Sequence, residues 1–197
     1  LSYFDSATGL PNRRHLLEQL SIALKDRKPG IALCVAAFRV HGLDRIAQAH
    51  GAELADKILS EAARQIGEHL AEASTGGTLL KQANTARVCR TSEAGLALLI
   101  HSREPVENVS DQICTALARV SGQPTNLGTE YLPAVSAGLA LVDGDTTGAE
   151  QLLTNAQAAS EQAREPRSCE RFTPVPLARS RRRLAIETAL RRAVAAG

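Results

Sequence analysis

Residues 86–100 read "ARVCRTSEAGLALLI", and the fold turns on how this stretch divides. Leu96 to Ile100 is an apolar run bounded by polar residues, which predicts a buried strand. Ala86 to Arg90 is a second short apolar-rich run, and only Thr91-Ser92-Glu93-Ala94-Gly95 joins the two. The spacing predicts a β-hairpin with a turn of small or polar side chains. Such turns often carry chemistry, and this one offers a single carboxylate, Glu93.

Working outward, "LPNRRHLLEQLSIALKD" (10–26) opens on Asn12 as a helix N-cap. Leu16, Leu17, Leu20, Ala23 and Leu24 then form one apolar stripe. Pro29-Gly30 ends that helix, and Ile31 to Phe38 predicts a strand buried on both faces. A helical pattern runs from about Leu43, is interrupted near Gly51, and resumes through Leu54, Ile58, Leu59, Ala62, Ile66 and Leu70 before the loop "ASTGG" (73–77). Beyond the hairpin, a helix is predicted over Val106 to Val120, stopped by Ser121-Gly122. "EYLPAVSAGLALV" (130–142) follows as a strand with a turn or bulge near Pro133. A helix over Ala149 to Arg164 and a short strand "CERF" (169–172) complete the unit.

The predicted order is α-β-α-β-β-α-β-α-β. Its centre, β-α-β-β-α-β, is the split ferredoxin-like arrangement, an α/β (α+β) class with a mostly antiparallel sheet covered by helices. The Pro-containing stretch "FTPVPLARS" (172–180) marks a boundary, giving a domain over 1–173 and a second segment over 174–197.

The 197 residues suffice for one domain plus an appendage. No apolar run approaches the roughly 20 residues that span a bilayer, and the N-terminal "LSYFDSATGLPNRR" lacks a basic-then-apolar targeting pattern. The expectation is a cytoplasmic fragment without membrane contact, compatible with a membrane-anchored parent protein. Cys34, Cys89, Cys114 and Cys169 are widely spaced, with no CxxC and no Cys/His pair at metal spacing, so reduced thiols packed as small hydrophobes are expected rather than a disulfide or zinc site. From Arg179 onward, Arg179, Arg181, Arg182, Arg183, Arg191 and Arg192 stand against Glu187 alone; this +5 within a formal net charge of +2 leaves −3 for the rest. Leu184, Ala185, Thr188, Leu190, Ala193 and Val194 space those charges in a helical pattern, which reads as an amphipathic helix. With three Phe, two Tyr and no Trp, base-stacking platforms are scarce, and no nucleic-acid partner is expected.

Three motifs in order and spacing resemble the GGDEF domain, the module that in its active form joins two GTP molecules into cyclic di-GMP. "DSATGLPNRR" (5–14) resembles the motif D-x-L-T-G-L-P-N-R-R, lacking only the Leu; "VSAGLA" (135–140) resembles S-x-G-x-A; and "LLTNAQAASEQAR" (152–164) resembles L-L-x-x-A-D-x-A-L-Y-x-A-K. The hairpin then aligns with R-x-G-G-D-E-F-A-L-L, and Ser92, Glu93, Ala94, Gly95 and Leu96 replace all five letters of the name.

The resemblance implies where metal and nucleotide would sit. Phosphoryl transfer from GTP needs divalent metal, and hard cations want carboxylate oxygens. One metal carboxylate of the family falls on Gly95. The other comes from D-x-D-x-F-K, which aligns with Arg39-Val40-His41-Gly42-Leu43-Asp44, so both acids are gone. A unit charge pair at ~4 Å is worth roughly 4 kcal/mol at an effective dielectric of about 20, so an arginine in place of a carboxylate turns attraction for a cation into repulsion. Ser92-Glu93 replaces a glycine pair that would let the turn approach a nucleotide, and Glu93 opposes phosphate charge.

The expectation is therefore a vestigial site at Arg39, His41, Ser92, Glu93, Ala94, Gly95 and Leu96, with no catalytic residue, no metal and no Mg²⁺ cofactor. The domain is expected to be no enzyme. Candidate residual nucleotide contacts are Asp56, at the family's guanine-binding acid, and Arg164 with Arg167 near its phosphate-facing cations; the partner Asn of the guanine site is Ala47. The family's inhibitory R-x-x-D falls on Ala83-Asn84-Thr85-Ala86, so product feedback there is not expected. "RRRLAIETALRRAV" (181–194) resembles the opening helix of an EAL domain, a cyclic di-GMP phosphodiesterase or receptor module, which makes an adjacent EAL domain the expected partner beside a homodimer or another protein. The function implied is a regulatory or scaffolding module, the alternative a GTP-sensing domain that controls the attached EAL domain.

Overall fold

In the computed structural model, residues 2–73, 88–126, 130–142 and 148–174 are described. Helix α1, Arg13–Lys25, starts where Asn12 caps it, its side chain accepting from His15 N–H at 3.1 Å. Its stripe buries Leu16 and Leu20. Strand β1, Ala32–His41, is buried from Leu33 to Phe38 because it is central in the sheet. It runs three residues beyond the expected end. Arg39 is exposed, but Val40 returns to the core, so the alternation of a strand with one open face continues through His41.

Helices α2, Leu43–His50, and α3, Ala52–Ala73, are separated by Gly51 at φ 92°, a left-handed conformation that an L side chain adopts only with strain. The expected hairpin is present as β2, Cys89–Arg90, and β3, Gly95–Ser102, pairing Cys89 with Ala97 and Arg90 with Leu96. Residues 74–87, including most of the expected "ASTGG" loop, lie outside the described residues. Helix α4, Val106–Val120, has its predicted limits.

The run 130–142 splits at Leu132-Pro133, since proline cannot donate to a ladder. Glu130–Tyr131 (β5) pairs with Thr125–Asn126 (β4) in a small ribbon that periodicity did not predict, and Ala134–Leu141 (β6) joins the main sheet. Helix α5, Ala149–Gln162, and strand β7, Cys169–Arg171, follow. The second segment, expected from 174, lies outside the described residues from 175 onward.

Among the described residues the main sheet has the order β2-β3-β1-β6-β7, antiparallel except for the parallel β6–β7 pair. This is an α+β fold with the ferredoxin-like centre expected from the hairpin. One core lies between sheet and α3/α4, with Cys34, Ala36, Phe38 and Val40 of β1 facing Ile58, Leu59, Ile66, Ile113 and Leu117. The other lies between sheet and α1/α5, where Val35 and Ala37 meet Leu16, Leu20, Leu152, Leu153 and Ala156. Arg39 and His41 continue this second set of alternate positions. Burial pushes the thiols of Cys34 and Cys89 up to about 12, as expected of packing cysteines.

Candidate functional site

The candidate site lies at the end of the sheet where β1 finishes and β3 begins. Arg39 is the cross-strand partner of Gly95 on one side and of Ser136 on the other, so residues 41 to 97 positions apart meet in one row. His41 stands two residues further along the same face and shares a 2.9 Å hydrogen bond between Nε2 and Ser136 Oγ. Its backbone carbonyl accepts from the Tyr131 hydroxyl at 3.0 Å. Burial, and then the charge of Arg39, lower the proton affinity of His41 below that of an ordinary histidine.

The turn is closed by Thr91 N–H and Ser92 N–H, both donating to Gly95 C=O, at 2.9 and 3.3 Å. Val40 N–H donates to Ala94 C=O at 2.9 Å, tying the turn to β1. Ser92 and Glu93 are exposed, Ala94 and Gly95 are half-buried, and Leu96 is wholly buried in the α3/α4 core. Leu96 therefore serves packing. A Cβ added to Gly95 would lie 2.4 Å from Ser92 Oγ and 3.0 Å from Thr91 Oγ1, so the turn's own side chains fill the space beside this glycine. Thr91 Oγ1 is itself buried without a hydrogen-bond partner.

Sequence reasoning missed the residue that organises this end of the molecule. Arg90 is an ion-pair hub: Nη1 donates to Asp5 Oδ1 at 2.9 Å, Nη2 lies 2.9 Å from Asp56 Oδ1, and Nε donates to Ser92 C=O at 3.2 Å. Its backbone N–H donates to Pro11 C=O at 2.8 Å. The opening motif, the hairpin and α3 are thus held by one side chain. Asp5 also accepts from Thr8 N–H and Oγ1, at 2.9 and 2.7 Å. Burial alone would raise the Asp5 carboxyl; the hydrogen bonds from Thr8 and Arg90 outweigh it and hold it below the usual range. Asp5 and Thr8 at i, i+3 were the available signal for a local turn, but nothing local pointed to Arg90.

Asp56, singled out for guanine, is brought to the hairpin and spends Oδ1 on Arg90. Arg164 follows the end of α5 and is exposed. Arg167 is also exposed; its N–H donates to Val135 C=O at 2.7 Å, and its φ of 72° is the left-handed value disfavoured for a residue with a side chain. Val135 pairs with Val40, which places Arg167 one row beyond Arg39 at the same end of the sheet.

The family resembled by the sequence uses divalent metal, which sets a test for the donors present. Arg39 and Gly95 face each other, His41 engages Ser136, and Asp5 and Asp56 are both tied to Arg90. Among the described residues no three His, Cys, Asp or Glu side chains are grouped to hold a metal. These donors do not fit a divalent cation.

A family model described as "Diguanylate cyclase, GGDEF domain" matches residues 2–168. The chain belongs to the GGDEF family. A curated relative, the bifunctional diguanylate cyclase/cyclic di-GMP phosphodiesterase MucR of Pseudomonas aeruginosa, is 26% identical over 167 residues, which is 84% of this chain and 22% of MucR. The chain therefore spans under a quarter of that relative. Among solved structures, the GGDEF domain of YfiN (TpbB) from Pseudomonas aeruginosa matches with TM-score 0.70 at 21% identity, covering 85% of this chain and 99% of that one. The GGDEF domain of DgcB from Caulobacter crescentus, solved with c-di-GMP, matches with TM-score 0.69 at 17% identity, covering 87% and 96%.

These matches correct one expectation. The domain was expected to be no enzyme, on the strength of its substituted turn; the family to which it belongs is that of diguanylate cyclases, and its fold is that of solved GGDEF domains. Substitutions in the turn are variation within an enzyme family, and they do not remove the chain from it. No described helix is long and apolar enough to cross a membrane.

Proposed function

We propose that this GGDEF domain serves as a regulatory or scaffolding module within a larger cytoplasmic or membrane-anchored cyclic di-GMP signalling protein, next to an EAL domain. The observation that carries this is the Arg90 hub. Asp56, at the position that the resemblance assigns to guanine, is bound to Arg90 together with Asp5, so the arginine that ties three elements of the fold together also holds the candidate nucleotide contact. A small shift at the opening motif is thereby felt at the hairpin and at α3. The match to MucR, bifunctional and far longer than this chain, supports a place beside a second domain, as does the resemblance of residues 181–194 to an EAL opening helix. The parent protein provides the test. Disrupting the hub with Arg90→Ala should change its cyclic di-GMP turnover or binding, and an output unchanged by this variant and by deletion of the domain overturns the reading.

A second reading, GTP sensing, is favoured by one observation: the exposed Arg39 at the sheet end has no ion-pair partner among the described residues. Titrating GTP with Mg²⁺ against the 197-residue chain, by calorimetry and thermal shift, separates the two. Saturable micromolar binding supports the sensor; no response at millimolar nucleotide supports the scaffold. Cyclic di-GMP formation is measured in the same samples, because turnover is the reference activity of the family.

A further inference from the structure

We infer that Cys114 and Cys169 form a redox-active thiol pair, which a hydroperoxide closes into a disulfide between α4 and β7. The inference goes beyond the function proposed above and does not depend on it.

Four cysteines occur in the chain, and the fold divides them into two kinds. Cys34 and Cys89 are buried in the two cores, where each packs as a small hydrophobe. Cys114 and Cys169 are only half-buried, so both remain open to small solutes. They also meet. Along α4, Glu107, Ser110 and Cys114 follow at spacings of three and four, which puts them on one face. On β7, Cys169 and Arg171 share a face and Phe172 takes the other, since Cys169 packs against the α3/α4 core and Phe172 against the α1/α5 core. The Arg171 Nη1 to Glu107 Oε1 ion pair, at 3.6 Å, sets the strand against the helix, and pairing of Cys169 with Ala137 fixes the strand to the sheet. Further along the same contact, the Ser110 hydroxyl donates to the Cys169 sulfur. The Cys169 thiol and backbone N–H both donate to the Cys114 sulfur. Two elements distant in sequence thus hold their thiols as hydrogen-bonded neighbours, the arrangement a disulfide needs before side-chain torsion can close it.

The pair is asymmetric, and the asymmetry assigns the roles. Burial raises the Cys114 thiol, and the charges of Asp111 and Glu170 add to this, but both hydrogen bonds from Cys169 favour its thiolate. Burial pushes Cys169 up to about 12, and its bond to Cys114 raises it as well. Cys114 is therefore the nucleophile and Cys169 the resolving thiol. With hydrogen peroxide, the Cys114 thiolate attacks one oxygen and the O–O bond breaks; Cys114 becomes a sulfenic acid, and the departing hydroxide takes up the proton the thiol lost, leaving as water. The Cys169 sulfur then attacks the sulfenic sulfur, the S–S bond forms as the S–O bond breaks, and the second hydroxide leaves as water with the Cys169 proton. Two thiols lose two electrons and one peroxide becomes two waters. Because both thiols are raised, closure is slow at neutral pH and answers sustained oxidation rather than a brief pulse. The bond would tie to α4 the strand from which residues 174–197 continue.

The test uses the 197-residue chain, treated with hydrogen peroxide under native conditions, quenched with catalase, and alkylated after denaturation. Two of the four cysteines should escape alkylation and become reactive again after dithiothreitol. Peptide mapping should place Cys114 and Cys169 in one linked species, with Cys34 and Cys89 alkylated, and the chain should run as a monomer on a non-reducing gel. The oxidised chain should unfold at higher urea than the reduced one, a shift absent in Cys114→Ser. Four alkylated cysteines after peroxide, a linked species containing Cys34 or Cys89, or a bond between chains overturns the inference. So does the same yield of the 114–169 species from chain oxidised in urea, because proximity in the fold would then have no part in forming it. The mapping is made on the unsubstituted chain, so its outcome stands whether or not Cys114→Ser folds.

Discussion

Gly95 and Gly138 both lie where an added Cβ would collide, and they differ in what it would strike. At Gly138 it would meet backbone, Ser160 N at 2.1 Å, Ala156 O at 2.2 Å and Ala159 C at 2.7 Å, because α5 lies directly on β6. At Gly95 it would meet side chains of the turn, Ser92 Oγ at 2.4 Å and Thr91 Oγ1 at 3.0 Å. Backbone of a packed helix has nowhere to go, whereas an exposed serine changes rotamer. The difference separates a part of the molecule set by the fold from a part whose chemistry is free to vary while the fold stays. Gly138 lies in the stretch that resembles the family's S-x-G-x-A strand, whereas Gly95 lies in the substituted turn.

Substitution at Gly138 should therefore have the largest effect. Gly138→Ala forces α5 off β6 and opens the core that Leu152, Leu153 and Ala156 share with β1. A loss of ~3 kcal/mol or more is expected from overpacking against immovable backbone, read as a fall in the urea midpoint. Wild-type stability would show that α5 docks elsewhere.

Arg90→Ala comes next. It removes the shared partner of Asp5 and Asp56 and leaves two carboxylates facing each other, each less than a third exposed. Breaking one side of a mostly buried pair should cost on the order of 2 kcal/mol. Asp56→Asn in the Arg90→Ala background should add little beyond the single change, and a fully additive double variant would show that the two side chains do not act together.

The sequence was most legible where a local pattern carried the information. The stop at Ser121-Gly122 placed α4 at Val106–Val120, Asn12 capped α1 as predicted, and the hairpin's pairing followed from the two apolar runs. It was less legible where partners are distant. Arg90 and Asp5 are 85 positions apart, and no periodicity reports their contact. The continuation of β1 through His41 was hidden because Arg39 interrupts the apolar run while the alternation itself goes on. The β4–β5 ribbon has two residues per strand, too few to show a period. At the site, the motif comparison located the row Gly95–Arg39–Ser136 by naming its first two members. Ser136 as the hydroxyl between Arg39 and His41 needed the antiparallel register of β1 and β6.

Acid should act more gently, through two groups near the hairpin, Asp5 and His41. Asp5 titrates below its ordinary value when folded, so its contribution is complete above about pH 4 and is lost as pH falls through the folded value. His41 is also lowered: the unfolded chain takes up that proton near about pH 6.5 while the folded one resists it, so stability again declines as pH falls. Both slopes have the same sign and occupy different windows. In melting curves against pH, Asp5→Asn should flatten the lower window and His41→Gln the upper one; a His41→Gln profile identical to wild type would mean that burial and the charge of Arg39 do not lower the proton affinity of His41.

The smallest effect should fall at Gly95. Its φ is not left-handed, so an alanine meets no backbone strain, and the only close obstacles are Ser92 Oγ and Thr91 Oγ1. Ser92 is exposed and turns away into solvent. The bonds from Thr91 N–H and Ser92 N–H to Gly95 C=O involve backbone alone and survive the change. Gly95→Ala should shift stability by no more than about 0.5 kcal/mol, the range of surface changes away from special features. Combining it with Ser92→Gly should remove even that cost. A loss as large as that of Gly138→Ala would show that Ser92 is locked against the strand end, and the turn would then belong to the rigid part of the molecule along with α5.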